Sequence, residues 1–363
     1  MPVVKSLLVV WMAGVITRKM NIAYVQSGGP TAVINRTMLG VRVAVLCQRV
    51  NRIFGAVNGP KGLIEDRFID LGSSFTKSYF YGVASAPGQA LGSFRKEPTE
   101  EECEKIVGNF RSHDIHGLLY NGGDDSAQSL AQIKAHADKT GYELLVSHLP
   151  KTVDNDLPFN DFTPGFPSAA RYLASMAQNH DCDNRSLPGV YVGVTMGKNA
   201  GFLVASTALA RDPRYEDSAP HLIYMPEVMF DENKFVNDVA AVVDRFGRCV
   251  VAVSEGIGKL VGGKFTELVV ALGKSLGSDG FGGAALSGTT SLGDALVNIL
   301  KEGLPEGTRV RQGTFGYEQR VCAQLVSGVD KDAAESVGRY GVMTMLGERQ
   351  TSCSIIGMDM EQV

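Results

Sequence analysis

The chain has 363 residues, of which 44% are hydrophobic and 20% are charged, and its formal net charge is −4. This length suggests about two domains, and the composition excludes a disordered chain. The charge pattern gives no sign of a nucleic-acid or membrane surface, so neither is an expected partner. The six cysteines include no CxxC pair, which indicates neither a zinc site nor a disulfide framework and favours a reducing, cytoplasmic setting.

Residues 1–19 are predicted to be an N-terminal extension. The stretch 3–16 is largely apolar, but it is shorter than the roughly 20 apolar residues that cross a bilayer. No small-residue cleavage site with a spacer follows it, because the first predicted core strand begins at Asn21. We therefore expect Met20 to be the functional start, and N-terminal sequencing of native protein that begins at residue 1 or 2 would refute this.

The first predicted strand, over residues 21–25, leads through Gly28-Gly29-Pro30 into a helix over residues 32–49. Adjacent glycines let the backbone approach a ligand closely, and the helix N-terminus behind them favours an anion. A Gly-Gly turn is also an ordinary connection between a strand and a helix, and without other phosphate-binding features it favours that simpler interpretation.

A second strand ending in a turn is predicted over residues 55–62, followed by a loop that contains Arg95. Arg95 can bind a phosphate through two hydrogen bonds, although pairing with a nearby glutamate is the alternative. The acidic cluster over residues 97–104 follows Pro98-Thr99 and is typical of the capped first turn of a helix.

The next predicted strand covers residues 117–120 and is followed by Asn121-Gly122-Gly123-Asp124-Asp125-Ser126 and a helix over residues 127–139. Here a glycine turn, a helix N-terminus and two acids coincide. Carboxylates beside a phosphate site normally have a divalent metal between them. The alternative is a helix cap with acids favoured by the helix dipole, which explains one aspartate more easily than two.

The stretch over residues 149–156 is predicted to carry the chemistry. It follows an apolar strand over residues 143–147, so Asp154 and Asp156 are expected at the carboxyl end of a parallel strand, where open α/β sheets bind their ligands. Two carboxylates and Lys151 within six residues are costly to bury. A solvated acidic turn explains these residues about equally well.

The second half of the chain alternates between predicted strands and helices. We expect helices over 167–178, 202–210, 232–246 and 330–346, strands over 190–195, 221–225, 249–253 and 309–314, and ordered pieces over 268–272 and 289–301. Glu227 and Glu255 both follow predicted strands, where either can bind a polyol hydroxyl or cap a helix. The region 256–313 is rich in glycine and small residues and predicts no chemistry.

From Met20 to about residue 348 the chain resembles the phosphofructokinase family. The motifs that match, in the family's order, are Gly28-Gly29-Pro30, the segments 122–126 and 150–156, Met196-Gly197-Lys198, Pro226-Glu227 and the segment 316–320. The resemblance implies an α/β fold with two similar Rossmann-like, three-layer domains, mainly parallel sheets and an active site in the cleft between them. It implies a donor domain over 20–160, completed by part of 314–350, a fructose 6-phosphate domain over 161–313 and a tail over 351–363.

The resemblance also implies roles for individual residues. Asp154 would accept the proton of the sugar 1-hydroxyl, Thr152 and Asp156 would position that end of the sugar, and Asp124 would serve a Mg²⁺ ion. The residues implied for the donor are Gly28, Gly29, Arg95, Gly123, Asp125 and Ser126. Those implied for the sugar phosphate are Thr152, Asp154, Met196, Gly197, Lys198, Glu227, Tyr317 and Arg320, with Arg185 supplied by a neighbouring subunit of a dimer or tetramer.

The donor can be predicted from two positions. ATP-using members of the family usually have glycine at the positions of Asp125 and Lys151. Asp125 puts bulk and negative charge where the α-phosphate of a nucleotide would lie, and Lys151 brings a cation that can neutralise the departing phosphate of a smaller donor. The sequence therefore predicts reversible transfer from pyrophosphate to the 1-hydroxyl of fructose 6-phosphate.

Two alternatives to a pyrophosphate-dependent enzyme stay open at this point. The first is an ATP-dependent 6-phosphofructokinase. The second is a catalytically silent subunit that binds a sugar phosphate. It is motivated by the early end of the chain and by Lys198, which stands where the family usually has arginine and lacks the planar, two-pronged geometry of that side chain.

Overall fold

The computed structural model describes residues 19–47, 50–72, 75–273, 286, 288–347 and 353–355. Residues 1–18 of the predicted extension, and the predicted tail apart from 353–355, lie outside this set. The strands are β1 (Met20–Gln26), β2 (Val50–Ala56), β3 (Phe68–Asp70), β4 (Ile115–Gly122), β5 (Leu145–Pro150), β6 (Val190–Thr195), β7 (Leu222–Tyr224), β8 (Cys249–Ser254), β9 (Gly258–Val261), β10 (Lys264–Glu267), β11 (Val310–Thr314) and β12 (Cys353–Ile355). The helices are α1 (Ile34–Cys47), α2 (Pro60–Ile64), α3 (Lys77–Ser85), α4 (Glu100–Ser112), α5 (Asp124–Lys139), α6 (Phe166–Ser186), α7 (Phe202–Ser206), α8 (Glu232–Phe246), α9 (Leu268–Ala271), α10 (Ser291–Gly303) and α11 (Gly328–Met345).

The first sheet has the strand order β12-β5-β4-β1-β2-β3, and all its neighbouring strands are parallel except β2 and β3. Its central strand β1 is buried along its whole length. Side chains alternate across the sheet, so Ile22 and Tyr24 pack with α1 and α11, whereas Ala23 and Val25 pack with α4 and α5. Helices on both faces explain why these strands are continuous apolar runs.

The second sheet has the order β11-β6-β8-β7, with every neighbouring pair parallel. One face packs against α8 and α10 through residues such as Phe235 and Leu296. A separate antiparallel pair, β9 and β10, follows β8. The predicted α/β class with mainly parallel sheets is confirmed, and the domain limits stay a prediction. Among the described residues, no helix has the length and apolar content to cross a membrane.

Helix α11 follows the second sheet in the chain but packs on the first. The contact with α1 is a backbone contact, because a Cβ atom on Gly40 would lie 2.0 Å from the carbonyl oxygen of Glu335. The buried carboxylate of Asp330, near the start of α11, accepts hydrogen bonds from the backbone N–H groups of Gly165 (2.7 Å) and Ser168 (3.1 Å). Asp330 therefore caps α6 and ties that helix to the first sheet.

Several predicted bounds need correction. The strand and turn predicted over 55–62 need new bounds, because the strand is β2 and ends at Ala56, the turn contains Asn58 and Gly59 with positive φ, and Pro60 begins α2. The helix predicted from residue 127 begins at Asp124, since Gly123 is its N-cap. The predicted acidic helix is confirmed as α4, and its start is a capping box between Thr99 and Glu102.

Candidate active site

Three turns meet at the carboxyl edge of the first sheet. They follow β1, β4 and β5, which are adjacent and parallel, so the strands end side by side. Backbone hydrogen bonds join the turns, because Ser27 N–H donates to the carbonyl oxygen of Asn121 (2.8 Å) and Lys151 N–H donates to that of Gly122 (3.0 Å). The carboxyl edge of the sheet, where the sequence predicted the chemistry, therefore brings together the Gly28-Gly29 turn, the Gly122-Gly123 turn and Lys151.

Lys151 lies against the Gly28-Gly29 turn. Its Nζ donates a hydrogen bond to the carbonyl oxygen of Gly29 at 2.7 Å. Gly28 has a φ of 74°, and a Cβ atom there would lie 3.2 Å from Nζ, so the amine and the turn fit only with glycine. Only 3% of Lys151 is exposed, and burial together with Arg95 and Arg320 lowers the pKa of its amine to about 7.

Two guanidinium groups converge over Gly29. A Cβ atom on Gly29 would lie 2.9 Å from Nη2 of Arg95 and 3.0 Å from Nη1 of Arg320. Arg320 stacks on the ring of Tyr317 at 4.4 Å, and burial and the charge of Arg95 lower the pKa of Arg320. Three cations so close together repel one another, and this edge of the sheet therefore favours a polyanion.

Asp154 follows this cationic cluster in the chain. Its backbone N–H donates to Oγ1 of Thr152 at 3.1 Å. The residue as a whole is half-buried, but its Oδ1 is inaccessible and has no hydrogen-bond partner among the described residues. Burial and the charge of Asp156 raise the pKa of Asp154 to about 7, against the opposing effect of Lys151. A carboxyl group with this pKa can accept a proton at neutral pH.

The loop that carries Asp154 is anchored to the segment before α6. Asn155 has a φ of 58°, and its Oδ1 accepts a hydrogen bond from the backbone N–H of Thr163 at 2.8 Å. The hydroxyl of Thr163 donates to the carbonyl oxygen of Thr152 at 2.8 Å. These bonds hold Thr152 and Asp154 in place, while Asp156 is exposed at the end of the loop.

The two predicted acids of the Gly122-Gly123 turn lie in the first turn of α5. Asp124 is exposed and Asp125 is half-buried. Ser126 connects this turn to the first one, since its Oγ lies 3.9 Å from a Cβ atom placed on Gly28. Among the described residues, no three His, Cys, Asp or Glu side chains are grouped as in a metal site.

A buried polar network that the sequence analysis missed holds the loop with Arg95 on the Gly28 turn. Asn35 Oδ1 accepts from Gln26 Nε2 and from the backbone N–H of Ala90, both at 3.0 Å. Ser93 Oγ donates to the carbonyl oxygen of Gly28 at 2.8 Å. The sequence signal that could have indicated this network is the polar residue Gln26 at the end of an apolar strand.

The predicted sugar residues lie on loops of the second sheet. Met196, Gly197 and Lys198 follow β6, and Lys198 Nζ lies 3.6 Å from a carboxylate oxygen of Glu267. The carboxylate of Glu227 accepts a hydrogen bond from the backbone N–H of Gly201 at 2.6 Å. The Glu227 side chain is therefore held beside the turn that begins with Met196.

Gln319 joins this group to the cationic cluster, a role that the sequence analysis did not assign. Its Oε1 accepts from the backbone N–H of Met196 (3.2 Å), and its Nε2 donates to the carbonyl oxygen of Gly316 (2.6 Å). Gln319 and Arg320 belong to the same short 3-10 turn, Tyr317–Arg320. The loops of the two sheets therefore meet at this turn.

Arg185 lies apart from the other predicted residues. It is near the C-terminal end of α6, a helix of 21 residues and hence about 30 Å long, whose other end adjoins the loop with Asp154. Its guanidinium pairs with Asp217 at 2.6 Å and with Asp181 at 3.3 Å. Its contribution to a neighbouring subunit stays a prediction.

The sequence and the fold of this chain are similar to those of several known proteins. The family model described as phosphofructokinase matches residues 21–340. A pyrophosphate–fructose 6-phosphate 1-phosphotransferase from Rhodospirillum rubrum is 43% identical over 93% of this chain and 82% of its own length. A crystal structure of a pyrophosphate-dependent phosphofructokinase from Marinobacter aquaeolei, 32% identical, matches with a TM-score of 0.76 over 91% of this chain and 77% of that one. An ATP-dependent 6-phosphofructokinase from Trypanoplasma borreli is 25% identical over 82% of this chain and 57% of its own length.

Proposed function

The chain belongs to the phosphofructokinase family, and we propose that it transfers a phosphoryl group from pyrophosphate to the 1-hydroxyl of fructose 6-phosphate. The products are fructose 1,6-bisphosphate and phosphate, and the reaction runs in both directions. The observation that carries the proposal is the buried amine of Lys151, 2.7 Å from the carbonyl oxygen of Gly29 and beside two arginines. The relatives named for this activity support it.

Pyrophosphate is the donor that the cationic cluster favours. Lys151, Arg95 and Arg320 surround Gly29, so an anion bound at the glycine turn is met by three cations. Ser126 adjoins the same turn and Gly123 lies beside Lys151. Asp125, in the first turn of α5, adds negative charge where the family resemblance implies the α-phosphate of a nucleotide. A compact inorganic diphosphate fits this charge pattern better than ATP does.

Asp154 is the proposed base. Its carboxyl has a pKa of about 7 and the residue is only half-buried, so it can take the proton of the 1-hydroxyl. The sugar oxygen then attacks the terminal phosphorus in line, and the departing phosphate is stabilised by Lys151. Thr152 and Asp156 position this end of the sugar. Most of the catalysis comes from positioning and charge neutralisation.

The rest of the sugar phosphate is assigned to the loops of the second sheet. Glu227 accepts hydrogen bonds from sugar hydroxyls, and the turn formed by Met196, Gly197 and Lys198 lies beside the ring. Tyr317 binds near the 6-phosphate, and Arg320, which stacks on its ring and also lies over Gly29, is assigned between the sugar phosphate and the donor. Arg185 of a neighbouring subunit completes the site in a dimer or tetramer, and we place the enzyme in the cytoplasm.

A Mg²⁺ ion is proposed at Asp124. When bound, the Mg²⁺ ion would neutralise negative charge on the phosphate that is transferred. Asp124 can supply a ligand to such an ion, because its carboxylate is exposed to solvent. Mg²⁺ usually takes one or two protein carboxylates and fills its other positions with phosphate oxygens and water.

The test is a coupled assay of the purified protein with fructose 6-phosphate and either pyrophosphate or ATP, in the presence of Mg²⁺. We expect turnover with pyrophosphate and at most trace turnover with ATP. Turnover with ATP alone would establish the first alternative. Normal binding of fructose 6-phosphate without turnover from either donor would establish the silent subunit.

A further inference from the structure

His148 is a polar side chain inside the buried strand β5. Only 2% of the residue is exposed. Burial lowers the pKa of its imidazole to about 4, so the ring is neutral at pH 7 and carries a single N–H group. Burying a polar ring costs free energy of folding unless its N–H group has a hydrogen-bond acceptor. The acceptor therefore indicates which part of the structure His148 holds in place.

The acceptor is the backbone of the Gly122-Gly123 turn. The Nε2 atom of His148 lies 3.2 Å from the carbonyl oxygen of Gly123. A carbonyl oxygen can only accept, so the proton of the neutral ring is on Nε2 and Nδ1 carries a lone pair. Nδ1 is inaccessible and has no hydrogen-bond partner among the described residues.

This hydrogen bond fixes the peptide between Gly123 and Asp124. The same carbonyl oxygen accepts the first helical hydrogen bond of α5, from Ala127 N–H at 3.2 Å. In a planar trans peptide the N–H points opposite to the C=O, so the N–H of Asp124 points out of the helix N-terminus. Gly123 is conformationally permissive and the hydrogen bond from Ala127 is the terminal one of the helix, so His148 supplies a second tether that restricts rotation of this peptide.

We propose that His148 is a positioning residue for pyrophosphate. Its Nε2–H group holds the Gly123 carbonyl as a second tether, and this keeps the N–H of Asp124 directed at the donor phosphate that the proposed function assigns beside Lys151. The position at the end of α5 is suited to an anion. This inference rests on the proposed function, because it assigns His148 to the donor side of that reaction and not to the sugar side.

Three substitutions test the role by steady-state kinetics with pyrophosphate and fructose 6-phosphate. His148→Leu removes the donor, His148→Gln places an amide N–H at the Nε2 position, and His148→Asn places one at the Nδ1 position. We expect the KM for pyrophosphate to rise roughly fivefold in the Leu and Asn variants and to stay within about twofold of the wild-type value in the Gln variant. The KM for fructose 6-phosphate should change in none of them. A KM for pyrophosphate that is equal in all four proteins, or raised equally in all three variants, would overturn the proposal.

A second measurement does not depend on the folding of any variant. Nitrogen NMR of wild-type protein labelled at histidine reports which ring nitrogen is protonated, and we expect Nε2–H for His148. An Nδ1–H or doubly protonated ring at pH 7 would overturn the proposal. The proposed function fails separately, since wild-type protein without turnover from pyrophosphate would refute it whatever the state of His148.

Discussion

Asp154→Asn is expected to stabilise the fold while it removes most of the turnover. Burial and Asp156 raise the pKa of Asp154 from 3.8 to about 7, so the folded protein binds this proton more tightly than the unfolded chain does. Ionising the carboxyl therefore costs stability, and the cost grows as the pH rises from about 4 to about 7 and is constant above that. Asparagine has almost the same shape and no ionisable group, so it removes the cost.

The expected size follows from the same pKa. A rise from 3.8 to about 7 corresponds to about 4 kcal/mol in the free energy of unfolding above pH 7. Two effects reduce this figure. Solvent screens a residue that is only half-buried, and removal of the carboxylate also removes an attraction that offsets the burial of Lys151. We expect a net gain of about 2 kcal/mol, which raises the thermal midpoint by a few degrees.

The assay compares thermal unfolding of the wild type and the variant at pH 5 and pH 8. The stability difference should be about a third of its full value at pH 5, where the unfolded carboxyl is already mostly ionised, and complete at pH 8. Asp138→Asn is the matched control, because Asp138 is exposed and pairs with Lys134, so its loss should change the midpoint little at either pH. Turnover of Asp154→Asn should fall at least 10²-fold. A variant less stable than the wild type at pH 8 would refute the burial argument, and near-normal turnover would exclude Asp154 as the base.

Two further substitutions separate the donor and sugar sides of the site. Lys151→Met should lower turnover with pyrophosphate roughly 10³-fold, because a charge about 4 Å from a phosphate oxygen contributes about 4 kcal/mol at an effective dielectric constant near 20. The acid limb of its pH–rate profile should also move to higher pH, since Lys151 lowers the pKa of Asp154; a limb that stays in place would contradict this. Gln319→Leu should raise the KM for fructose 6-phosphate roughly tenfold and leave that for pyrophosphate unchanged, because Met196 N–H loses its acceptor. Equal changes in both constants would show a general loss of structure.

The elements that the sequence predicted well are those with local signals at both ends. Helix α8 has the predicted bounds because Asp231 caps its first turn and Gly247, in the left-handed conformation, ends it. In contrast, β12 has three residues and pairs with β5, about 200 residues earlier in the chain. No periodicity can show such a short, distant pairing.

The same distinction holds for the site. Lys151 and the glycine turns could be grouped in advance, since parallel strands bring their carboxyl ends to one edge. The hydrogen bond between Gln319 and Met196 joins residues 123 apart, and that between Asp330 and Gly165 joins residues 165 apart. The residues around these positions in the sequence show no pattern that predicts which two of them form a hydrogen bond. His148 likewise stands in the sequence as a polar interruption of an apolar strand.

Burial acts in opposite chemical senses on Lys151 and Asp154. It makes the amine easier to deprotonate and the carboxyl easier to protonate, so both groups have pKa values of about 7. A polyanion beside Lys151 would offset the repulsion from Arg95 and Arg320 and favour the charged amine. A charged Lys151 in turn lowers the pKa of Asp154 and favours the carboxylate that can accept the sugar proton. Under the proposed function, the lysine that binds the donor therefore also helps to prepare the base, and this coupling gives a functional reason for two buried groups that each destabilise the fold.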